Sequence, residues 1–326
     1  MCGLFGFSDT SRCLSPTQVR QLTRALAVSS MVRGTDATGI AYNTKNWLRI
    51  YKRAEKASRV LLLPPSGTHT VMGHVRMTTQ GSAQFNYNNH PFPGELNGHR
   101  ANTSPDFALA HNGVLSNDQT LHLPPARIET DSYVAVQMLQ AIGALDLPAL
   151  KEVAEQLEGT FTLTLLDRQD TLYFVRGNSP LYLVEFPRLG LFVYASTADI
   201  LQDTVARIDF LQTQLYSLIW LEEGEILSLS ADGQMETLPF NTSRLRNDSY
   251  ALWDLPCRKP TYAGKAVSDV LLNTALNMGY EEEDIAILTA CGYCDDEIEE
   301  LLQDSELFRA ALQESYYDYA YHGGGY

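Results

Sequence analysis

Met1-Cys2-Gly3-Leu4-Phe5-Gly6 opens the chain, and how its second residue is read decides the fold. Cysteine is small enough for the initiator methionine to be removed, so the mature chain is expected to start at Cys2. A thiol and a free α-amine then share one residue. An α-amino group titrates at about 7.7–8.0, far below a lysine, so near neutrality part of it is an unprotonated base. It can activate its own side chain, directly or through water, as N-terminal-nucleophile variants of the serine triad do, and no separate histidine is needed. The six residues alone leave a second reading open, a chance cysteine ahead of a glycine-flanked strand.

Composition bounds what can follow. The 326 residues correspond to about two domains at roughly 150 residues each. Apolar residues at 44% and charged residues at 19% exclude disordered, collagen-like and disulfide-scaffold chains. Apolar runs such as Val60–Leu63, stopped by Pro64-Pro65, fall far short of the roughly 18 residues of a membrane span, so no membrane partner is expected. The net charge is −15, and residues 263–326 carry 14 Asp and Glu against Lys265 and Arg309, a balance of −12. Acidity is therefore a C-terminal property, and it argues against nucleic-acid partners, whose binding needs cations. The 5 cysteines, at positions 2, 13, 257, 291 and 294, are odd in number and irregularly spaced, which does not suggest a secreted disulfide framework. No secretory signal is visible, and the expected location is cytoplasmic.

Residues 2–237 read as one mixed α+β domain. Leu14–Val32 has the pattern of an amphipathic helix with Pro16 in its first turn. Strand candidates follow at Thr38–Tyr42, Val71–Val75, Phe107–Ala110, Thr160–Leu166, Thr171–Arg176, Leu181–Glu185 and Leu191–Ala195, and helices at Asp131–Ile142 and Ala149–Leu157. Residues 86–106 form a loop by composition. Residues 238–262 lack any sustained period and read as a linker. Residues 263–315 read as a small acidic helical module in which Gly279-Tyr280 recurs as Gly292-Tyr293, with Ile285 and Leu288 matched by Ile298 and Leu301. Over this short stretch the module resembles ubiquitin-associated three-helix units. Residues 316–326 form a Tyr- and Gly-rich tail.

Three further stretches carry chemistry: Gly73-His74-Val75-Arg76-Met77-Thr78-Thr79-Gln80-Gly81, Asn88-Asn89-His90-Pro91 and Ala110-His111-Asn112-Gly113-Val114-Leu115-Ser116-Asn117. Taken singly, each has an ordinary reading. Arg76 can be a surface ion-pair residue, Asn112-Gly113 a hairpin turn and Asp131 a helix N-terminal residue. Taken together with Cys2, with Arg33-Gly34-Thr35-Asp36 and with Glu129-Thr130-Asp131-Ser132, they run in the order of the motifs of class II glutamine amidotransferases, and the chain resembles the glutaminase domain of that family. The resemblance implies an α+β fold, a four-layer αββα sandwich of the N-terminal-nucleophile hydrolase type, in a stand-alone form, with the small helical module appended.

The roles it implies match the chemistry of a glutamine amide. Cys2 is the nucleophile, and the Asn112 side chain with the Gly113 backbone N–H forms the oxyanion hole. Arg76 holds the α-carboxylate, with Thr79 and His74 also placed in substrate binding, and Asp131 pairs with the α-ammonium. Arg33, His90 and His111 support the site. No cofactor and no metal are implied. Met77 and Gln80 stand where the sugar-phosphate branch of the family often has Trp and His, so that branch's product is not implied. The partners expected are glutamine or a γ-glutamyl small molecule, together with a protein partner or a second copy docking on the acidic module. Two other readings stay open: a γ-glutamyl conjugate hydrolase, with the stretch 94–105 shaping its pocket, and an idle scaffold binding through the acidic module. Cys291-Gly292-Tyr293-Cys294 reads as a turn between helices, since neither a preceding strand nor two further zinc ligands accompany it.

Overall fold

In a computed structural model of the chain, residues 2–245 are described apart from 46, 97–103 and 122, together with 269–290 and helical positions 298, 301, 302, 308, 309, 311 and 312. The chain divides into two compact units, residues 1–248 and 249–326. The Cys-x-x-Cys motif, the tail and most of the proposed linker lie outside the described residues, as does the centre of the 94–105 stretch.

The first unit is built on two antiparallel sheets. Sheet A holds β1 (Gly3–Asp9), β2 (Ala37–Thr44), β3 (Trp47–Arg53), β4 (Thr70–Arg76), β9 (Tyr182–Phe186), β10 (Leu191–Ala195) and β11 (Ser217–Ile219), in the order β11-β9-β10-β1-β4-β2-β3. Sheet B holds β5 (Phe92–Gly94), β6 (Phe107–Leu115), β7 (Gly159–Asp167), β8 (Leu172–Arg176), β12 (Glu225–Leu229) and β13 (Met235–Pro239), in the order β13-β12-β8-β7-β6-β5. The helices are α1 (Pro16–Ser29), α2 (Tyr133–Ile142), α3 (Leu147–Ala154), α4 (Ala198–Arg207) and α5 (Asp209–Gln212).

Side-chain alternation explains the layering. Along β1, Phe5 and Phe7 join Val19, Leu22 and Leu26 of α1 and Ile200 and Leu201 of α4 in one apolar cluster. Leu4, on the opposite face, joins Ala108 and Ala110 of β6 and Phe174 of β8 between the sheets. Phe107 and Leu109 of β6 face away from sheet A and pack with Leu139 of α2 and Leu150 of α3. A strand buried on both faces loses the polar alternation of a half-exposed one, so β1, β4 and β6 read as runs of apolar and small residues. The layers are α1, α4 and α5; sheet A; sheet B; α2 and α3. This is the four-layer αββα sandwich of the N-terminal-nucleophile hydrolases.

The local signals are also legible in the structure. Ser15 caps α1 with a capping box, its hydroxyl accepting from Gln18 N at 3.3 Å and the Gln18 side chain accepting from Ser15 N at 2.9 Å. The expected helix 14–32 ends earlier, at Ser29, and closes in a 3-10 turn over Ser30–Arg33. The expected end of the first domain at residue 237 falls inside β13, and Phe240 beyond it is buried in the sheet B core. β13 is short, mostly exposed and ends in a proline, so it shows no sustained strand pattern.

In the second unit α6 (Asp269–Asn277) and α7 (Glu282–Ala290) meet at Gly279. Leu271, Ala275, Ile285, Leu288, Ile298 and Phe308 form one small core, with the Tyr280 ring tilted against Phe308 at a centroid distance of 4.0 Å.

Candidate active site

Cys2 sits at the start of β1, where Gly3 pairs with Val75 and Ala37 pairs with Arg76. The thiol Sγ donates to the Met77 carbonyl at 3.5 Å. Burial pushes the Cys2 thiol above its ordinary value, while the Arg76 guanidinium pulls it down and the Asp131 carboxylate adds to the rise. These two charges, one at the end of β4 and one in the turn before α2, act on the same sulfur, which brings the carboxylate- and ammonium-binding candidates together around Cys2.

The Arg33-Gly34-Thr35-Asp36 motif holds this end of sheet A. Arg33 Nε donates to the Cys2 carbonyl at 2.7 Å. At Gly34 a Cβ would lie 2.5 Å from the Arg76 carbonyl oxygen, so only glycine lets the two segments approach. Asp36 N donates to the same Arg76 carbonyl at 2.9 Å, and the Asp36 carboxylate accepts from Thr78 N at 2.8 Å. The motif thus fixes where β4 ends and where the exposed stretch Met77–Gln80 begins; Thr79 lies on that stretch.

Arg76 is buried and already engaged. Nη1 donates to Asn89 Oδ1 at 2.7 Å, and Nη2 to the carbonyls of Gln80 at 2.5 Å and Gly81 at 3.0 Å. A guanidinium has five N–H donors, so two remain beyond these three bonds. Asn89 is the hub of this loop: its Nδ2 donates to the Ala83 carbonyl at 2.8 Å, and its own carbonyl accepts from Lys52 Nζ at 2.5 Å. Lys52 also donates to the Pro91 carbonyl at 3.1 Å and lies over the Phe92 ring. Burial, with Arg76 nearby, lowers Lys52 to about 8. The neighbouring Asn88 exchanges hydrogen bonds with Glu129 (Nδ2 to Oε2 at 2.8 Å; Glu129 N to Oδ1 at 3.0 Å), tying this loop to the segment before Asp131.

The expected oxyanion residues lie within β6, which runs to Leu115 rather than turning at Asn112-Gly113. Asn112 is 1% exposed, and its side-chain Nδ2 and Oδ1 are both buried without a hydrogen-bond partner among the described residues. A buried amide normally finds a partner, and an unpartnered one is a donor held ready. Gly113 has φ +145°, and a Cβ there would meet the Thr160 carbonyl oxygen at 2.0 Å. Any other residue would push the strand away from β7.

Asp131 Oδ2 accepts from Leu115 N at 2.7 Å, and its Oδ1 accepts from Ser132 Oγ at 3.2 Å. The three histidines form a buried group beneath the site. His74 Nε2 bonds the His111 carbonyl at 3.1 Å, and the His74 ring packs against His90 in a tilted arrangement with centroids 4.2 Å apart. His111 Nδ1 bonds Ser132 Oγ at 2.8 Å, and its Nε2 faces the Thr160 carbonyl at 3.4 Å. Burial lowers all three, His74 to about 3, so they are neutral at pH 7. His74, expected in substrate binding, is buried and ties β4 to β6 through the His111 carbonyl. His90 and His111, expected to support the site, are likewise buried. Sequence reasoning missed Lys52, Asn89, Ser132 and Thr160. Asn89 and Ser132 lie inside quoted motifs, whereas Lys52 and Thr160 lie 37 and 49 residues from Asn89 and His111, with no spacing to signal them. Among the described residues no cluster of His, Cys, Asp or Glu is placed to hold a metal ion, and no helix is long and apolar enough to cross a membrane.

No family model matches the chain. Among curated proteins it is 27% identical over 271 residues to a glutamine–fructose-6-phosphate aminotransferase (isomerizing) of Pseudomonas aeruginosa, covering 78% of this chain and 37% of that protein. A Shewanella oneidensis protein of the same description is 27% identical over 198 residues, covering 56% and 30%. The chain thus spans about a third of the length of these relatives. Among solved structures, one described as the allosteric regulatory enzyme of purine biosynthesis superposes with a TM-score of 0.58 at 21% identity, over 74% of this chain and 50% of that one. With its αββα layers the chain has the fold of the N-terminal-nucleophile amidotransferases, and in sequence it is similar to class II glutamine amidotransferases.

Proposed function

We propose that the chain cleaves the γ-amide of glutamine through a thioester on Cys2. Once Met1 is removed, the α-amine of Cys2 takes the thiol proton and Sγ attacks the amide carbon. The carbonyl oxygen becomes an oxyanion facing Asn112 Nδ2 and the Gly113 N–H. The intermediate collapses by breaking the C–N bond, the amine returns the proton and ammonia leaves. Water then attacks the glutamyl thioester, forming glutamate and restoring the thiol. Arg76 and Thr79 hold the α-carboxylate and Asp131 the α-ammonium. Because Arg76 already grips the Gln80 and Gly81 carbonyls, carboxylate binding and the set of the 77–81 loop depend on each other.

The observation that carries this reading is the unpartnered buried amide of Asn112 beside the positive-φ Gly113. A fold that needed only stability would satisfy that amide or replace it, since a buried unsatisfied group costs about 1–3 kcal/mol. A second reading, cleavage of a γ-glutamyl conjugate, is favoured by the apolar rim: Met77 is 52% and Val114 48% exposed, adjacent in sequence to Arg76 and Gly113. Incubating the protein with glutamine and a panel of γ-glutamyl amides, and measuring ammonia and glutamate, tests both. Ammonia from glutamine supports the first, preferential release of apolar amines supports the second, and no release from any substrate refutes both. Residues 263–315 are proposed to dock a protein partner or a second copy, with the ammonia passing to an acceptor held elsewhere.

A further inference from the structure

Asp131, Ser132 and His111 form one buried line that ends at the oxyanion strand. The Ser132 hydroxyl lies 3.2 Å from Asp131 Oδ1 and 2.8 Å from His111 Nδ1. It has a single proton and two acceptors in reach. On the far side of the ring, His111 Nε2 faces the Thr160 carbonyl. That carbonyl is the atom a Cβ at Gly113 would strike, and Thr160 Oγ1 accepts from Val114 N at 3.1 Å. Thr160 therefore backs the strand that carries Asn112 and Gly113.

Resting on the amidase reading above, we propose that the Ser132 hydroxyl couples recognition of the substrate α-ammonium at Asp131 to the oxyanion strand. With Asp131 unoccupied, its carboxylate competes for the Ser132 proton. An ammonium on Asp131 neutralises that demand, and the hydroxyl turns to donate fully to His111 Nδ1. No covalent bond changes; the ring keeps its proton on Nε2. A hydrogen bond received at one ring nitrogen polarises the N–H at the other, so the bond to the Thr160 carbonyl tightens and the Gly113 segment is held more firmly. The two-state element is one hydroxyl rotor, and both ends of the line bias it. Ser132 is a positioning residue in this scheme, since it acts through His111 and Asp131.

The consequence is that the α-amino group of glutamine contributes to turnover as well as to binding. The test compares kcat for glutamine with kcat for its des-amino analogue, 4-carbamoylbutanoate, in wild type, Ser132→Ala and Ser132→Thr. The preference in kcat for glutamine is expected to shrink about fivefold in the alanine variant, the worth of one neutral hydrogen bond, and to be retained in the threonine variant, which keeps the hydroxyl. A second readout does not depend on turnover. Adding glutamate, but not glutarate, to the full chain labelled at histidine nitrogen should shift the His111 ring resonances in wild type, and Ser132→Ala should lose that response. An unchanged kcat preference in Ser132→Ala, or an equal His111 response to glutamate and glutarate, overturns the coupling. If wild type releases no ammonia from glutamine while glutamate still shifts His111 through Ser132, the amidase reading fails and the coupling stands.

Discussion

Replacing Asn112 by leucine should separate catalysis from stability in opposite directions. Leucine branches at the same carbon as asparagine and has the same number of heavy atoms, so it removes the amide without leaving a void in β6. If Nδ2 is an oxyanion donor, its loss lowers kcat by about 10²–10³-fold, or 2.7–4 kcal/mol. The same change relieves a buried amide whose nitrogen and oxygen both lack partners, and each such group costs about 1–3 kcal/mol. For a unit of this size each kcal/mol recovered raises Tm by about 2–4 °C. Steady-state ammonia release and thermal melting, measured on one preparation, are the assay. Expected is a protein that melts higher and turns over hundreds of times more slowly. A variant within threefold of the wild-type kcat, or one melting several degrees lower, would show that the amide serves the fold, and the oxyanion assignment would be wrong.

Acid should unfold the first unit through its buried histidines. The unfolded imidazoles bind protons near pH 6.5, while burial holds His74 at about 3 and keeps His90 and His111 below their ordinary values. Between these limits the unfolded state binds more protons, so stability falls as pH drops, by up to about 1.4 kcal/mol per pH unit for each histidine. Urea midpoints at pH 7, 6 and 5 should decline in step, and less steeply in His74→Phe. Lys52→Met removes the cation under the Asn89 and Pro91 carbonyls; KM for glutamine should rise about tenfold with kcat nearly kept, the signature of lost uniform binding, whereas an unchanged KM would detach Lys52 from the Arg76 loop. Ending the chain after residue 248, the limit of the first compact unit, should leave ammonia release within a few-fold of the full chain and weaken self-association in sedimentation; lost activity in a folded product would place part of the C-terminal unit in the site.

The central strands β4, β7, β8 and β10 were legible because they are buried along their length and bounded by Gly, Pro or Asn, and of β6 only Phe107–Ala110 was. The sheet margins were not. β3 carries Arg49, Lys52 and Arg53 among its apolar residues, β5 is 3 residues long, and β13 is mostly exposed, so edge strands that turn charge to solvent dilute the period-two signal. The hairpin reading of Asn112-Gly113 fails for a physical reason. The positive φ that glycine supplies is used here for close approach to Thr160 inside a strand rather than for a turn. In the site, motif order pointed to Cys2, Asn112, Gly113 and Asp131, but a motif shows which residues occur together and not which atoms they meet. Arg76, expected to hold a carboxylate, binds its own loop through three hydrogen bonds. Lys52, on an edge strand outside every motif, is visible only once the loop is seen folded over it.

The most direct test of the central claim is the intact mass of untagged protein mixed with glutamine and quenched in acid within its first turnovers. The account predicts a chain that begins at Cys2, carries one glutamyl group at that residue, loses it on treatment with hydroxylamine and never acquires it in Cys2→Ala. Ammonia release by protein that retains Met1, or by Cys2→Ala at the wild-type rate, would contradict it.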